Sequence, residues 1–174
     1  LAPPGVAREV TREDLVDGRL PVELNRTGAD FWMIPGADPL PAYVLFVNER
    51  QMNVQVPARP AGVSGRVEVQ LVFNRGRGGN EVRGNRVGVN VLPFVPALFT
   101  FPGGSVAAVH SALPAGAPVG RTGQFPGARP ARAGDVILVF GTGFGATRPA
   151  VEPGSLAEGA APLVNGVTVR IGGL

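Results

Sequence analysis

ARPARAGDVILVFGTGFG, residues 128–145, is the most informative run in the chain. A proline-punctuated lead-in reaches Ala133-Gly134-Asp135, which reads as a turn. Val136-Ile137-Leu138-Val139-Phe140 follows without a polar break, and Gly141, Gly143 and Gly145 close it. Five large apolar residues between turn signals predict a buried β-strand, because the run is too short for a helix. A fainter copy opens the chain, where Ala2-Pro3-Pro4-Gly5 leads into Val6-Ala7-Arg8-Glu9-Val10. The chain therefore reads as a first β-module over residues 1–92 and a second, apparently incomplete one over 93–174.

Composition supports this. Gly 26 and Pro 18 make up about a quarter of the 174 residues, close to a low-complexity range. Hydrophobic content is nevertheless 44%, arranged in alternating runs, which a disordered chain lacks. Short strands joined by many turns satisfy both facts. No stretch of a dozen residues shows helical periodicity free of Pro and Gly, so the expected class is all-β, an antiparallel sandwich.

All 16 basic residues are arginine, as a genome rich in G and C would produce, yet the net charge is only +3. Such a balance does not call for a nucleic-acid partner. With no cysteine, neither disulfides nor thiolate metal sites are available. Neither a charged-then-apolar leader nor a long apolar span is visible, so no membrane span is expected.

Several strands are legible by alternation. Residues 29–34 put Phe31 and Met33 on one face and Trp32 and Ile34 on the other. Residues 42–47 (AYVLFV) are apolar on both faces and belong centrally. Residues 51–57 alternate amides with Met52, Val54 and Val56, and residues 67–73 repeat the pattern. Further strands are expected at 6–10, 20–24, 87–91, 105–110 and 167–171. Residues 74–86 (NRGRGGNEVRGNR) read as a long exposed hairpin loop, 92–100 as a junction, and 113–132 and 146–162 as surface loop.

Candidate chemistry is sparse. Gly141-x-Gly143-x-Gly145 follows a strand, but Thr147-Arg148-Pro149 opens no helix after it, so a sandwich turn is the reading. His110, the sole histidine, with Ser105 or Ser111 and Asp135, has the residue types of a hydrolytic triad, although no spacing fixes their geometry. Asp14 and Asp17 lack the dense carboxylate spacing of calcium loops. The arginines of the predicted loop, Arg75, Arg77, Arg83 and Arg86, suit an anionic ligand or a partner chain if they are free. No aromatic residue is interleaved for base stacking, and Glu81 offsets part of the charge. Trp32 and Tyr43, the only residues of their kinds, form a sugar-stacking platform if exposed and core or interface if packed. Asn25-Arg26-Thr27 matches a glycosylation acceptor. No catalytic residue, cofactor or metal ligand is nominated.

GADPLPAYVLFVNERQMNVQVPA, VPALFTF, ARPARAGDVILVFGTGFGATRPAVEPG and APLVNGVTVRIGG together resemble a repeat at the C-termini of secreted acidobacterial (Solibacter-type) proteins. The resemblance spans roughly residues 20–58 and 93–173 and departs at 11–15, which is charged, and at 25–28, which lacks paired glycines. This uncharacterised family implies Ig-like β-sandwich modules, an extracellular or cell-surface location and no catalytic residues. It also implies that nothing after Ile171 matches strands 42–56 and 67–73. A strand burying about three side chains contributes about 5–9 kcal/mol, comparable to a whole domain's stability. Either the two halves merge into one sheet system or a neighbouring chain supplies the cover by strand addition. The resulting expectation is a non-enzymatic structural or surface protein that adheres or self-assembles, with other copies of itself as partners and filaments as an outcome. The alternative is a carbohydrate-binding or spacer module, with a glycan as the partner.

Overall fold

The computed structural model describes residues 7–58, 65–112 and 116–170. In chain order the strands are β1 (Arg8–Glu9), β2 (Thr27–Trp32), β3 (Leu40–Pro41), β4 (Tyr43–Val47), β5 (Met52–Gln55), β6 (Gly65–Phe73), β7 (Val82–Val91), β8 (Ala97–Leu98), β9 (Ala108–His110), β10 (Ile137–Val139) and β11 (Gly141–Thr142). Two single-turn 3-10 segments, Arg12–Asp14 and Gly78–Asn80, are the helical content among the described residues. Every ladder between strands is antiparallel. The chain is all-β, as expected, and no described helix is long and apolar enough to cross a membrane.

The chain divides into two compact units. The first holds Leu1–Leu92 together with Thr147–Pro162, and the second holds Pro93–Ala146 with Leu163–Leu174. The partition expected from sequence thus differs over Thr147–Pro162, which returns to the first unit. Leu20 N–H donates to Gly154 O at 2.8 Å, and Gly154 N–H donates to Gln55 Oε1 at 2.8 Å. Gly154 sits at φ +83° against the Tyr43 ring, where a Cβ would collide with the aromatic edge. Only glycine lets the returning segment lie this close.

The first unit is a β-sandwich of a three-stranded sheet, ordered β1-β4-β5, and a four-stranded sheet, ordered β3-β2-β6-β7. Its core follows the predicted alternation. Phe31 and Met33 are buried with Ala29, Ala42 and Val67, while Ile34 is exposed. Met52 and Val54 of β5 reach both this cluster and a second one built from Leu24, Val44 and Val47. Strand β4 lies between β1 and β5, the central place its apolar faces predict.

Three expectations in this unit need correction. Residues 20–24 form no strand: Leu20 and Leu24 are buried from irregular backbone, Leu24 in an isolated bridge to Thr27 and Leu20 through its N–H on Gly154 O. The loop expected over 74–86 is shorter, because β7 begins at Val82 and pairs with β6 down to Phe73. Val56, expected inward, is exposed, because it lies beyond the end of β5.

The second unit contains two two-stranded ladders, β9 with β10 and β8 with β11. Here the correction is larger. The run 136–140, read as buried, carries Val136 at 65% exposure and Leu138 at 52%. Strand β10 pairs with β9, and the buried apolar residues described in this unit, Ala107, Ala108 and Ala128, are all alanines. The strand expected at 167–171 is also not formed over 167–170, where Val167 and Val169 are exposed; Ile171 lies outside the described residues, as does Val6 of the strand expected at 6–10.

Candidate functional site

The arginines of the hairpin are paired with carboxylates, although Arg77, Arg83 and Arg86 remain exposed. Asp30 on β2 is fully buried, an expensive place for a carboxylate unless paired. Arg83 Nη1 donates to Asp30 Oδ2 at 2.8 Å, and Arg75 Nη2 lies 2.7 Å from Asp30 Oδ1 as an ion pair out of line for a hydrogen bond. The bond to Asp30 holds the Arg83 guanidinium above its ordinary pKa range. Room for Arg75 comes from Gly28, where a Cβ would meet Val22 O at 2.6 Å and Arg75 Nη2 at 3.1 Å. Glu23 accepts from the Arg75 N–H at 3.0 Å and pairs with Arg77 at 3.6 Å. Glu81 accepts from Gly76 N–H at 2.8 Å and from Arg83 Nε at 2.8 Å, which holds its carboxyl below the ordinary range, the Gly76 bond first.

Arg86 completes the set on the outer face of the sheet. Its guanidinium stacks 3.5 Å above the Trp32 ring and reaches Glu68 Oε2 at 3.2 Å. Trp32 Nε1–H donates to Gln70 Oε1 at 3.3 Å. The structure thus ties Arg75, Arg77, Arg83 and Arg86 to four carboxylates of the same unit. A groove of about 620 Å³ beside this stack is lined by Trp32, Arg66, Glu68, Arg86 and the turn at Pro35 to Asp38. Tyr43 takes no part in it, since it lies on the other sheet beneath Gly154. Trp32 and Tyr43 therefore form no shared platform.

The remaining candidates are engaged locally. Asn25 and Arg26 both adopt positive φ (49° and 60°), and Leu24 and Thr27 exchange both backbone hydrogen bonds, giving a two-residue type I′ turn. Thr27 is buried and its hydroxyl donates to Asn25 O at 3.3 Å. Asp14 accepts from the Thr11 N–H and hydroxyl at 2.9 Å each and pairs with Arg8, so its carboxyl is held below the ordinary range, the Thr11 backbone bond first. His110 is only 1% exposed, with Nε2 3.2 Å from Arg129 O and Nδ1 3.4 Å from Asp135 Oδ2. Ser105 Oγ accepts from Gln124 Nε2 at 2.7 Å, and among the described residues neither Ser105 nor Ser111 hydrogen-bonds His110. Gly141 lies in β11, and Gly143 and Gly145 follow it in irregular backbone, both at positive φ (75° and 95°).

A feature that the sequence reading missed lies on the inner face of the four-stranded sheet. There the three-stranded sheet ends at β5, leaving an apolar groove of about 520 Å³ floored by β6 and β7. Val69, Leu71, Val87 and Val89 line it, with Phe31 and Val56 at its sides. Val87 is 61% exposed and Leu71 42%. Alternation marked residues 67–73 as a half-buried strand and 87–91 was expected as a strand, but a single sequence does not say how many strands the opposite sheet contains. No known family pattern, curated protein or solved structure matches the chain.

Proposed function

We propose that this is a non-enzymatic structural protein that assembles with copies of itself by adding strands across molecules. The observation that carries this reading is the uncovered inner face of β6 and β7 beside β5, which ends its sheet among the described residues. Apolar surface of this kind next to an open strand edge recruits another strand, because backbone hydrogen bonds and side-chain burial are gained together. The exposed valines and Leu138 of the second unit add to the same tendency. Placement outside the cell or at its surface, and the Ig-like character of the modules, rest on the sequence resemblance.

Light scattering on a size-exclusion column, followed by electron microscopy, tests the reading: mass above 17.9 kDa or fibres supports assembly, and a monomer at every concentration removes it. A second reading, a carbohydrate-binding module, draws on the groove beside Trp32. It requires glycan-array binding that is lost in Trp32→Ala.

A further inference from the structure

Strand β5 is the last strand of its sheet, and among the described residues none pairs with its outer edge. A strand added there, one inter-strand spacing of about 4.8 Å away, lies over β7 at the usual separation of about 10 Å between packed sheets. That position covers Val69, Leu71, Val87 and Val89. The occupant must be a strand with apolar residues at alternate positions and no charge on that face, because the groove lining contains no ionisable side chain.

The chain itself carries such a segment. Gly166-Val167-Thr168-Val169-Arg170 alternates apolar and polar residues, yet it lies in no strand and leaves Val167 and Val169 exposed. Among the described residues it is the alternating segment that belongs to no ladder. Residues 164–169 are uncharged like the groove, and the charge of Arg170 falls on the face that turns to solvent when Val167 and Val169 point inward.

We infer that residues 166–170 of one copy dock beside β5 of a second, burying Val167 and Val169 against Val87 and Val89. This inference rests on the self-assembly reading and names its donor and acceptor. Such a contact is head-to-tail: each copy offers a donor and an acceptor at different places, so the association propagates unless it closes into a ring.

The chain lacks cysteine, so engineered pairs report cleanly. Val87→Cys in one chain and Val167→Cys in a second, differently tagged chain are mixed and oxidised at exposed positions that leave the fold intact. A mixed disulfide dimer well above the yield of either single-cysteine chain alone is expected. Val87→Arg is expected to raise the concentration needed for assembly at least tenfold. Oligomers that persist without the mixed cross-link, and that Val87→Arg leaves unchanged, overturn this donor and acceptor while the self-assembly reading stands. Monomers at all concentrations overturn both. An internal disulfide in a monomeric Val87→Cys, Val167→Cys double variant also overturns the inference, because the segment then closes the groove of its own chain.

Discussion

Individual side chains account for the hairpin that the sequence presents as a free cationic loop. Asp30 interrupts the apolar run GADFWM, and a carboxylate at that place needs a cation; Arg75 and Arg83 supply two. Replacing it with asparagine takes the ion-pair partner from Arg75 and leaves Arg83 with Glu81 alone. We expect Asp30→Asn to lower unfolding stability by about 2–4 kcal/mol, read from urea denaturation; a loss below about 1 kcal/mol contradicts the pairing. Arg26 offers a test of opposite sign. It occupies the second place of a type I′ turn at φ 60°, where glycine is preferred. Arg26→Gly is expected to raise stability by about 0.5–1 kcal/mol, visible as a higher urea midpoint, and a fall contradicts the turn assignment.

Two carboxylates give the pH dependence. Asp14 and Glu81 are held below their ordinary values of 3.8 and 4.5, chiefly by backbone hydrogen bonds from Thr11 and Gly76. The folded protein therefore binds these protons less readily than the unfolded chain. Their contribution is complete above the ordinary values and is lost as pH falls through the lower folded ones. The stability gap between wild type and an Asp14→Asn, Glu81→Gln double variant should accordingly be full at pH 6 and close toward pH 2 in urea titrations. A gap that widens on acidification contradicts the sign.

At the scale of the elements, the returning segment Thr147–Pro162 depends on one close approach. Gly154→Val places a β-branched side chain at positive φ against Tyr43. The expected result is a loss of about 2–3 kcal/mol and faster hydrogen exchange at the Leu20 amide, which donates to Gly154 O. Unchanged exchange at Leu20 would mean that the segment is held elsewhere. Legibility varied with how an element is covered. Period-two alternation placed Phe31 and Met33 inward and Ile34 outward, because one strand's faces are set by its own sequence. It failed at residues 136–140, where five apolar residues in a row predicted burial on both faces. Burial there depends on what neighbouring segments bring, and Gly-, Pro- and Ala-rich loops bring little. The tie between Arg83 and Asp30 was likewise hidden, because it joins residues 53 apart in the chain.

For the whole molecule, all-β class followed from composition and turn spacing, while the part of Thr147–Pro162 in the first unit needed the coordinates. The candidate surface was legible in its residues and not in its exposure. Strands were expected at 67–73 and 87–91, and three strands facing four leave Val69, Leu71, Val87 and Val89 open. An apolar face beside an open edge is what the self-assembly account depends on. Sedimentation of the intact chain across a wide concentration range tests it most directly. The account predicts species at multiples of 17.9 kDa that grow with concentration and shrink in Val87→Arg; a single 17.9 kDa species throughout would contradict it.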